Sequence, residues 1–174
     1  AIWCRTMPHE PSPECRDLVI QLARLGDLIQ TLPAIEALQD VYPERTLDVL
    51  CAAPLTSVLA GARRLGRVIP WDGAQWRAWT HQWKENPIQT MQAMQGYVES
   101  LGDMAYARVF ALNQHARSRL MTQLFTGPSS REDEQNRSEA RARPWAEYLR
   151  HIATQRGNNR VHLADAWCGM SGVR

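Results

Sequence analysis

Residues 18–33, with the sequence LVIQLARLGDLIQTLP, restrict the fold more than any other part of the chain. The apolar run at residues 18–22 predicts a buried strand. Gly26 permits a tight turn or a close backbone approach, and Asp27 stands where a helix N-terminus needs a hydrogen-bond acceptor. Apolar residues then recur near the helical period, at Leu28, Ile29, Leu32, Ile35, Leu38 and Val41. Because ligands of open α/β sheets bind beyond the carboxyl ends of the strands, this pattern places Asp27 well for chemistry.

Strand and helix patterns alternate along the rest of the chain. Strands are predicted at residues 46–51, 67–70 and 107–112, and helices at residues 54–60, 88–101, 117–125 and 145–152. This alternation is typical of a parallel sheet with helical crossovers. We therefore predict an α/β fold: a Rossmann-like parallel sheet of at least four strands with helices on both faces. The apolar stripe of the helix at 88–101, which includes Met91 and Met94, is expected in the core.

Composition divides the chain into three parts. Residues 1–16 are rich in proline, lack periodicity and predict an extended N-terminal arm. Residues 17–158 form the Rossmann-like domain, in which residues 129–143 are polar without apolar spacing and predict a mobile loop. Residues 159–174 are interpreted as an exit segment. Their apolar side chains lack a closing cap, so we expect this end to be frayed or covered by another copy or subunit.

Composition also limits the classes of function. The 174 residues are 44% hydrophobic, which suits one domain with a real core. No apolar run reaches the roughly 18–20 residues of a membrane span, which leaves at most peripheral membrane contact. The sequence has no glycine-rich phosphate cradle and no metal-ligand spacing, so we predict neither metal nor cofactor. The four cysteines (Cys4, Cys15, Cys51, Cys168) favour free thiols in a reducing cytoplasm, although Cys4 and Cys15 could pair under oxidising conditions.

Short motifs follow one another along the chain in a recognisable order. They are Leu25-Gly26-Asp27 with Thr31-Leu32-Pro33-Ala34, Val68-Ile69-Pro70 with Trp76-Arg77, Val109 to Leu112 with Arg117-Ser118, and NRVHLAD at residues 159–165. From about residue 17 onward this series resembles glycosyltransferase family 9, the bacterial heptosyltransferases that build the inner core of lipopolysaccharide. The Gly-Asp element is fairly specific, whereas the other motifs carry weight only as a series.

The resemblance implies one half of a two-domain, GT-B-type enzyme. In that family the first domain binds the acceptor and the second binds the nucleotide sugar, so this chain would be an N-terminal acceptor-binding domain, inactive by itself. The donor, ADP-heptose by resemblance, would be bound by a missing C-terminal domain or a partner subunit. The acceptor would be a phosphorylated saccharide or a lipid-linked one. The protein would lie in the bacterial cytoplasm or at the inner face of the membrane. An in-frame second half downstream of Arg174 would favour the enzyme.

The resemblance also assigns roles to individual residues. Asp27 matches the catalytic aspartate and would act as general base in a direct displacement. The candidate acceptor-binding residues are Gly26, Thr31, Trp76, Arg77, His115, Arg117 and Ser118. Arg117 is preferred to Arg119 because the two would diverge by about 200° on a helix.

Each assignment has an alternative that the sequence leaves open. Asp27 can serve as a helix cap alone, and the tryptophans around Trp76 can simply anchor a loop. Interleaved Trp and Arg can bind single-stranded nucleic acid, but no broad basic surface accompanies them, so we predict no nucleic-acid partner. For the chain as a whole, the alternative is a non-catalytic saccharide- or protein-binding domain derived from the same family.

Overall fold

Four parallel strands form the sheet of this computed structural model, which describes residues 16–101, 106–113, 118, 121–122, 125 and 132–173. The strands are β1 (Arg16–Gln21), β2 (Thr46–Ala52), β3 (Leu65–Trp71) and β4 (Arg108–Ala111). Their order across the sheet is β3-β2-β1-β4, and each neighbouring pair is parallel. All four strands therefore end at the same edge, and the predicted Rossmann-like parallel sheet is confirmed.

The central strand, β1, is covered on both faces. Val19 packs into one apolar cluster, whereas Leu18 and Ile20 pack into a second cluster on the opposite face. All three side chains are fully buried. A strand buried on both sides requires an almost continuous apolar run, which is the feature of residues 18–22 that predicted it.

Helices cover both faces of the sheet, as predicted. They are α1 (Leu25–Val41), α2 (Gly73–Gln82), α3 (Pro87–Ser100), α4 (Glu132–Thr154) and α5 (Leu163–Ser171), with 3-10 segments at Ala53–Leu59 and Arg156–Asn158. Residues of α1, α4 and α5 complete the cluster around Val19, and residues of α2 and α3 complete the cluster around Leu18. Across the described ranges, no helix is both long and apolar enough to cross a membrane.

Asp17, a buried carboxylate at the amino edge of the sheet, is paired with two arginines. Its Oδ1 accepts hydrogen bonds from Arg108 Nε at 3.1 Å and from Arg45 Nη1 at 3.2 Å, and Arg108 Nη2 donates to Oδ2. The Arg108 guanidinium also lies 3.7 Å from the centroid of the Tyr42 ring. Burial acts to lower the pKa of Arg108, but the hydrogen bond and charge of Asp17 outweigh it and the pKa is raised.

A second buried carboxylate, Asp48, is saturated at the same edge. It accepts hydrogen bonds from the Arg67 backbone N–H at 2.7 Å, the Tyr106 hydroxyl at 2.9 Å and Arg67 Nε at 3.1 Å. Arg16 Nη1 is a fourth donor, 3.4 Å from Asp48 Oδ2. Burial, reinforced by the Asp48 charge, raises the pKa of Tyr106, which therefore stays a neutral donor. A β-carbon at Gly66 would overlap the Asp48 side chain, so glycine permits this close approach.

The predicted loop at residues 129–143 is wrong from residue 132 onward, because α4 begins at Glu132. Residues 129–131 lie outside the described part, as do residues 1–15 of the predicted arm, and Arg16 already belongs to β1. The segment lacks apolar spacing, but Glu, Gln, Ala and Arg are good helix formers. Intrinsic propensity, rather than an amphipathic pattern, is the signal that identifies this part of the helix.

The C-terminal segment forms a packed and capped helix, so the expectation of a frayed end is wrong, whereas covering by another copy or subunit stays a prediction. α5 packs against α1 and α4, and Trp167, Met170 and Val173 are buried. At its start, His162 Nδ1 accepts a hydrogen bond from the Ala164 N–H at 3.2 Å. At its end, Gly172 adopts a left-handed φ of 74°, the conformation of a glycine C-cap. That residues 159–174 lead toward a second domain stays a prediction.

The apolar stripe of α3 is only partly in the core. Met94 and Val98 pack against the cluster around Leu18, but Ile88 and Met91 are 69% and 53% exposed. The prediction that Met91 is a core residue is therefore wrong.

Candidate active site at the carboxyl edge of the sheet

Three of the chain segments that leave the sheet at its carboxyl edge carry or adjoin the predicted site residues. β1 leads through residues 22–24 into α1, β3 leads through Asp72 into α2, and β4 ends beside β1. The Leu112 N–H donates to the Ile20 carbonyl at 3.0 Å, which continues the β1–β4 pairing up to this edge. Because β2 separates β1 from β3, the turns after them lie about 10 Å apart. Polar groups from all three segments can therefore meet one ligand.

Asp27 lies in the first turn of α1, directly after β1, and is partly exposed. Its Oδ2 accepts a hydrogen bond from the Arg24 backbone N–H at 3.3 Å, so it caps the start of the helix. The helix begins three residues earlier than the sequence predicted, at Leu25. The positive end of the helix dipole favours an ionised carboxylate at this position. Asp27 can therefore cap the helix with one carboxylate oxygen while the side chain stays partly accessible to a ligand.

The two residues predicted near Asp27 differ in accessibility. Gly26 is exposed, and a β-carbon built on it would meet no atom within 4 Å, so open space adjoins the carboxylate. Thr31 is fully buried, and its hydroxyl donates to the Leu28 carbonyl at 2.6 Å within the helix. Thr31 therefore stabilises α1 and does not present its hydroxyl to a ligand, which contradicts its predicted acceptor contact.

Trp76 is a core residue, which contradicts ring stacking on a sugar. It is 4% exposed, and its ring packs edge-on to Trp79 at 5.1 Å and Tyr97 at 5.9 Å, and against Trp71 at 6.4 Å. The alternative of an aromatic anchor is the better one, although the anchored element is helix α2 rather than a loop. Alternating aromatic and polar residues indicated a surface here because the sequence does not show which face of α2 meets the sheet.

Arg77, the next residue, is exposed on α2 and has no ion pair with any side chain that the structure describes. The N-terminus of α2 is fixed by Asp72, whose Oδ1 accepts from the N–H groups of Ala74 at 2.8 Å and Gln75 at 3.1 Å. Arg77 therefore stays available to an anion at the carboxyl edge.

Ser118 is fully buried and acts on a neighbouring amide. Its hydroxyl donates to Asn113 Oδ1 at 2.5 Å, which leaves Asn113 Nδ2 buried without a partner among the described residues. Ser118 and Asn113 are both buried, so neither presents a polar group to an acceptor in this structure, which contradicts the predicted acceptor contact of Ser118. His115 and Arg117, the other two candidates here, lie outside the described residues.

Two glutamines near Asp27 were missed by the sequence analysis. Gln21 ends β1 fully buried; its Oε1 accepts from the Ala23 N–H at 3.3 Å, but Nε2 has no partner in the described part of the chain. Gln30, three residues beyond Asp27, likewise leaves Oε1 buried and unpaired there. A polar residue that ends an otherwise apolar strand was the available signal for Gln21, since such a side chain must find a partner at the edge.

Two other titratable groups near this edge have raised pKa values. Cys51, opposite Gln21 on β2, is fully buried, and burial raises its pKa to about 11. The pKa of Tyr97 is raised by burial and by the charge of Asp72, and its hydroxyl donates to the Pro70 carbonyl at 3.1 Å. Among the residues that the structure describes, no three His, Cys, Asp or Glu side chains come together as a metal site.

Solved glycosyltransferases share this fold. Escherichia coli heptosyltransferase WaaC with ADP-2-deoxy-2-fluoro heptose aligns with a TM-score of 0.59 and 20% identity over 90% of this chain and 47% of its own. WaaC with ADP aligns with a TM-score of 0.50 and 24% identity over 64% of this chain and 34% of its own. A family 9 glycosyltransferase from Veillonella parvula aligns with a TM-score of 0.50 and 20% identity over 66% of this chain and 30% of its own.

The chain has the fold of family 9 glycosyltransferases. It spans about half the length of WaaC in the structure with ADP-2-deoxy-2-fluoro heptose. No family model and no curated protein sequence matches the chain. At these identities the likeness establishes the fold alone, and activity, substrates and site residues require arguments of their own.

Proposed function

We propose that this chain is the acceptor-binding half of a glycosyltransferase that transfers a sugar, heptose by its likeness to WaaC, onto a phosphorylated saccharide of the lipopolysaccharide-core type. One observation carries the proposal: Asp27 is a partly exposed carboxylate in the first turn of α1, at the end of the central strand. The fold around it is shared with structures that hold ADP and an ADP-heptose analogue.

In this reaction Asp27 is the general base. A carboxylate oxygen takes the proton of an acceptor hydroxyl, and the acceptor oxygen forms a bond to the anomeric carbon of the donor. The bond between that carbon and the diphosphate oxygen breaks, and the nucleoside diphosphate leaves with the electron pair. The hydrogen bond from Arg24 N–H to one oxygen fixes the carboxylate orientation, so the other oxygen can accept the proton.

Acceptor binding is assigned to the remaining accessible groups of the edge. The open space beside Gly26 admits the saccharide next to Asp27. Arg77 is placed to bind an acceptor phosphate, because a guanidinium forms paired hydrogen bonds with phosphate oxygens. His115 and Arg117 retain their proposed places.

The donor, ADP-heptose, is assigned to a second domain or a partner subunit, because this sequence contains no glycine-rich phosphate cradle. The proposed location is the bacterial cytoplasm at the inner face of the membrane, where a lipid-linked acceptor would be met by peripheral contact. No bound cofactor is required by this chemistry.

Calorimetry with the chain tests the division of labour. Deacylated, phosphorylated lipopolysaccharide core oligosaccharide should bind, and ADP-heptose should not bind without the second domain. Arg77→Gln should weaken oligosaccharide binding about tenfold or more, the usual effect of removing a charge-assisted hydrogen bond. Lys84→Gln removes a similar charge just beyond α2 and serves as the matched control. Tight binding of ADP-heptose by this chain alone would contradict the assignment.

The catalytic role needs the enzyme complete with its donor-binding domain. Asp27→Asn should reduce kcat about 100-fold or more with little change in KM, because the amide keeps the cap but cannot take the proton. Glu36→Gln, which neutralises an exposed carboxylate on the same helix, should leave kcat unchanged. Turnover of Asp27→Asn at the original rate would reduce Asp27 to a helix cap.

A second candidate is a non-catalytic saccharide- or protein-binding domain, in which the exposed Arg77 would contact the ligand without any transfer. It predicts oligosaccharide binding that does not depend on Asp27 and no transfer in any combination with a donor-binding domain. The two candidates therefore differ in the response of transfer, rather than of binding, to Asp27→Asn.

A further inference from the structure

A cavity of about 650 Å³ lies between α4 and α5, away from the turn that carries Asp27. One wall comes from α4, with Arg141, Pro144, Trp145 and Tyr148. These positions are spaced three, four and seven residues from the first, so they share one face of the helix. The volume falls within the range of about 300–1,000 Å³ that is typical of small-molecule sites.

The opposite wall is built from glycines of α5. A β-carbon at Gly169 would overlap the Trp145 indole, so glycine lets the ring approach the helix backbone. Gly172 adopts a φ of 74° at the helix end, and a β-carbon there would come within 3.8 Å of Arg141 Cδ. The close contact of Trp145 with the α5 backbone therefore depends on glycine at position 169, and Gly172 completes this wall at the helix end.

The third wall, at Val161, is fixed by Tyr148. The Tyr148 hydroxyl donates to Asn159 Oδ1 at 2.6 Å and accepts from the backbone N–H groups of Arg160 at 3.1 Å and Val161 at 3.2 Å. Three hydrogen bonds on one hydroxyl hold the segment between the two helices in place. The cavity is therefore formed before any ligand binds, which lowers the entropic cost of binding.

The chemistry of the lining selects the kind of ligand. Trp145 and Tyr148 pack edge to face, with ring centroids 6.3 Å apart, and offer an aromatic, mostly apolar interior. Arg141 is the charged residue of the lining, and it forms no ion pair with any side chain in the described ranges. Aromatic rings attract further aromatic rings, and an unpaired guanidinium attracts a phosphate or similar anion.

We propose that the cavity between α4 and α5 binds a planar aromatic ligand that carries one anionic group, with the ring against Trp145 and Tyr148 and the anion on Arg141. The lining shares no residue with the turn of Asp27 or with α2. The inference is therefore independent of the transferase proposal, and either can fail without the other.

Calorimetry with 1-naphthyl phosphate, 1-naphthol and inorganic phosphate tests the two parts of the proposed site separately. We expect saturable one-to-one binding of 1-naphthyl phosphate, at least tenfold weaker binding of 1-naphthol and no detectable binding of inorganic phosphate. Arg141→Gln should weaken the binding of 1-naphthyl phosphate about tenfold or more but leave the affinity for 1-naphthol unchanged. Arg143→Gln, the same charge change on an exposed position of the same helix, should change neither affinity.

Two further variants separate this cavity from other apolar surfaces. Trp145→Leu should abolish binding of both naphthyl compounds, with folding verified by circular dichroism. Met91→Gln, at the exposed start of α3, should leave binding unchanged. The proposal is overturned if 1-naphthyl phosphate does not bind at about 1 mM, a marginal affinity, if Arg141→Gln and Arg143→Gln have equal effects, or if Met91→Gln removes the binding.

Discussion

The two edges of the sheet use polar side chains in opposite ways. At the amino edge, the carboxylates of Asp17 and Asp48 are buried and every one of their oxygens is engaged by arginine, tyrosine or backbone donors. At the carboxyl edge, Asp27 is partly exposed with one oxygen engaged, and the amides of Gln21 and Asn113 keep buried, unpaired donors within the described structure.

This difference separates structure from function within one sheet. A saturated buried charge cannot bind anything more, so its role is to fix the strands that present it. An unpaired buried amide costs free energy in the free protein, and a ligand or an ordered water that pairs with it recovers that cost. The two edges therefore differ in how fully their buried polar side chains are paired among the described residues.

The largest expected effect tests the amino edge. Asp17→Asn should destabilise the fold by about 3–5 kcal/mol, because it leaves the Arg108 guanidinium buried without its paired charge. Asp40→Asn, which breaks the exposed ion pair with Arg64, should cost less than about 1 kcal/mol. Urea unfolding of both variants measures the contrast, and equal costs would show that burial does not set the value of these pairs.

The next effect concerns Cys51, which sits at the carboxyl edge but is sealed. Burial raises its pKa from 9.0 to about 11, so the folded state retains a proton that the unfolded state loses. Stability from this thiol is complete below pH 9 and falls as pH rises toward 11, by about 2–3 kcal/mol in all. Urea unfolding across this range should show a steeper decline for the natural chain than for Cys51→Ala. Parallel declines would mean that Cys51 ionises as readily in the folded state as in the unfolded state.

A smaller effect tests the unpaired amide of Gln21. Gln21→Met removes a buried donor without a described partner but also the acceptor of the Ala23 N–H, so these opposing effects should change stability by no more than about 1 kcal/mol. Binding of the core oligosaccharide should weaken in the same variant if this amide meets the ligand. A loss of about 2 kcal/mol in thermal unfolding would instead identify Gln21 as a structural residue of the β1–α1 turn.

The smallest effect is expected for Asp27 itself. Asp27→Asn should change the free energy of unfolding by less than about 0.5 kcal/mol, because the amide oxygen can still accept from Arg24 N–H. Together with Asp17→Asn, this variant compares a partly exposed carboxylate with a buried, paired one. A cost near that of Asp17→Asn would remove the distinction between the two edges.

Local patterns in the sequence were enough to predict the elements that form the sheet. The apolar run at residues 18–22 and the helical spacing from Leu28 to Val41 gave β1 and most of α1, and with them the position of Asp27. Hydrophobic periodicity failed to predict the start of α4. Residues there are good helix formers, so the helix forms without an apolar stripe in its first turns.

What the sequence by itself determined is the order of strands and helices and the class of fold, because periods of two and 3.6 residues are local properties of the chain. Tertiary structure alone decided which side chains are accessible: it buried Trp76 and Thr31, exposed Met91 and paired Asp17 with the distant Arg108. It also packed α5 onto α1 and α4 and so formed the cavity at Trp145. Accessibility and pairing depend on contacts between residues far apart in the sequence, which no local pattern specifies.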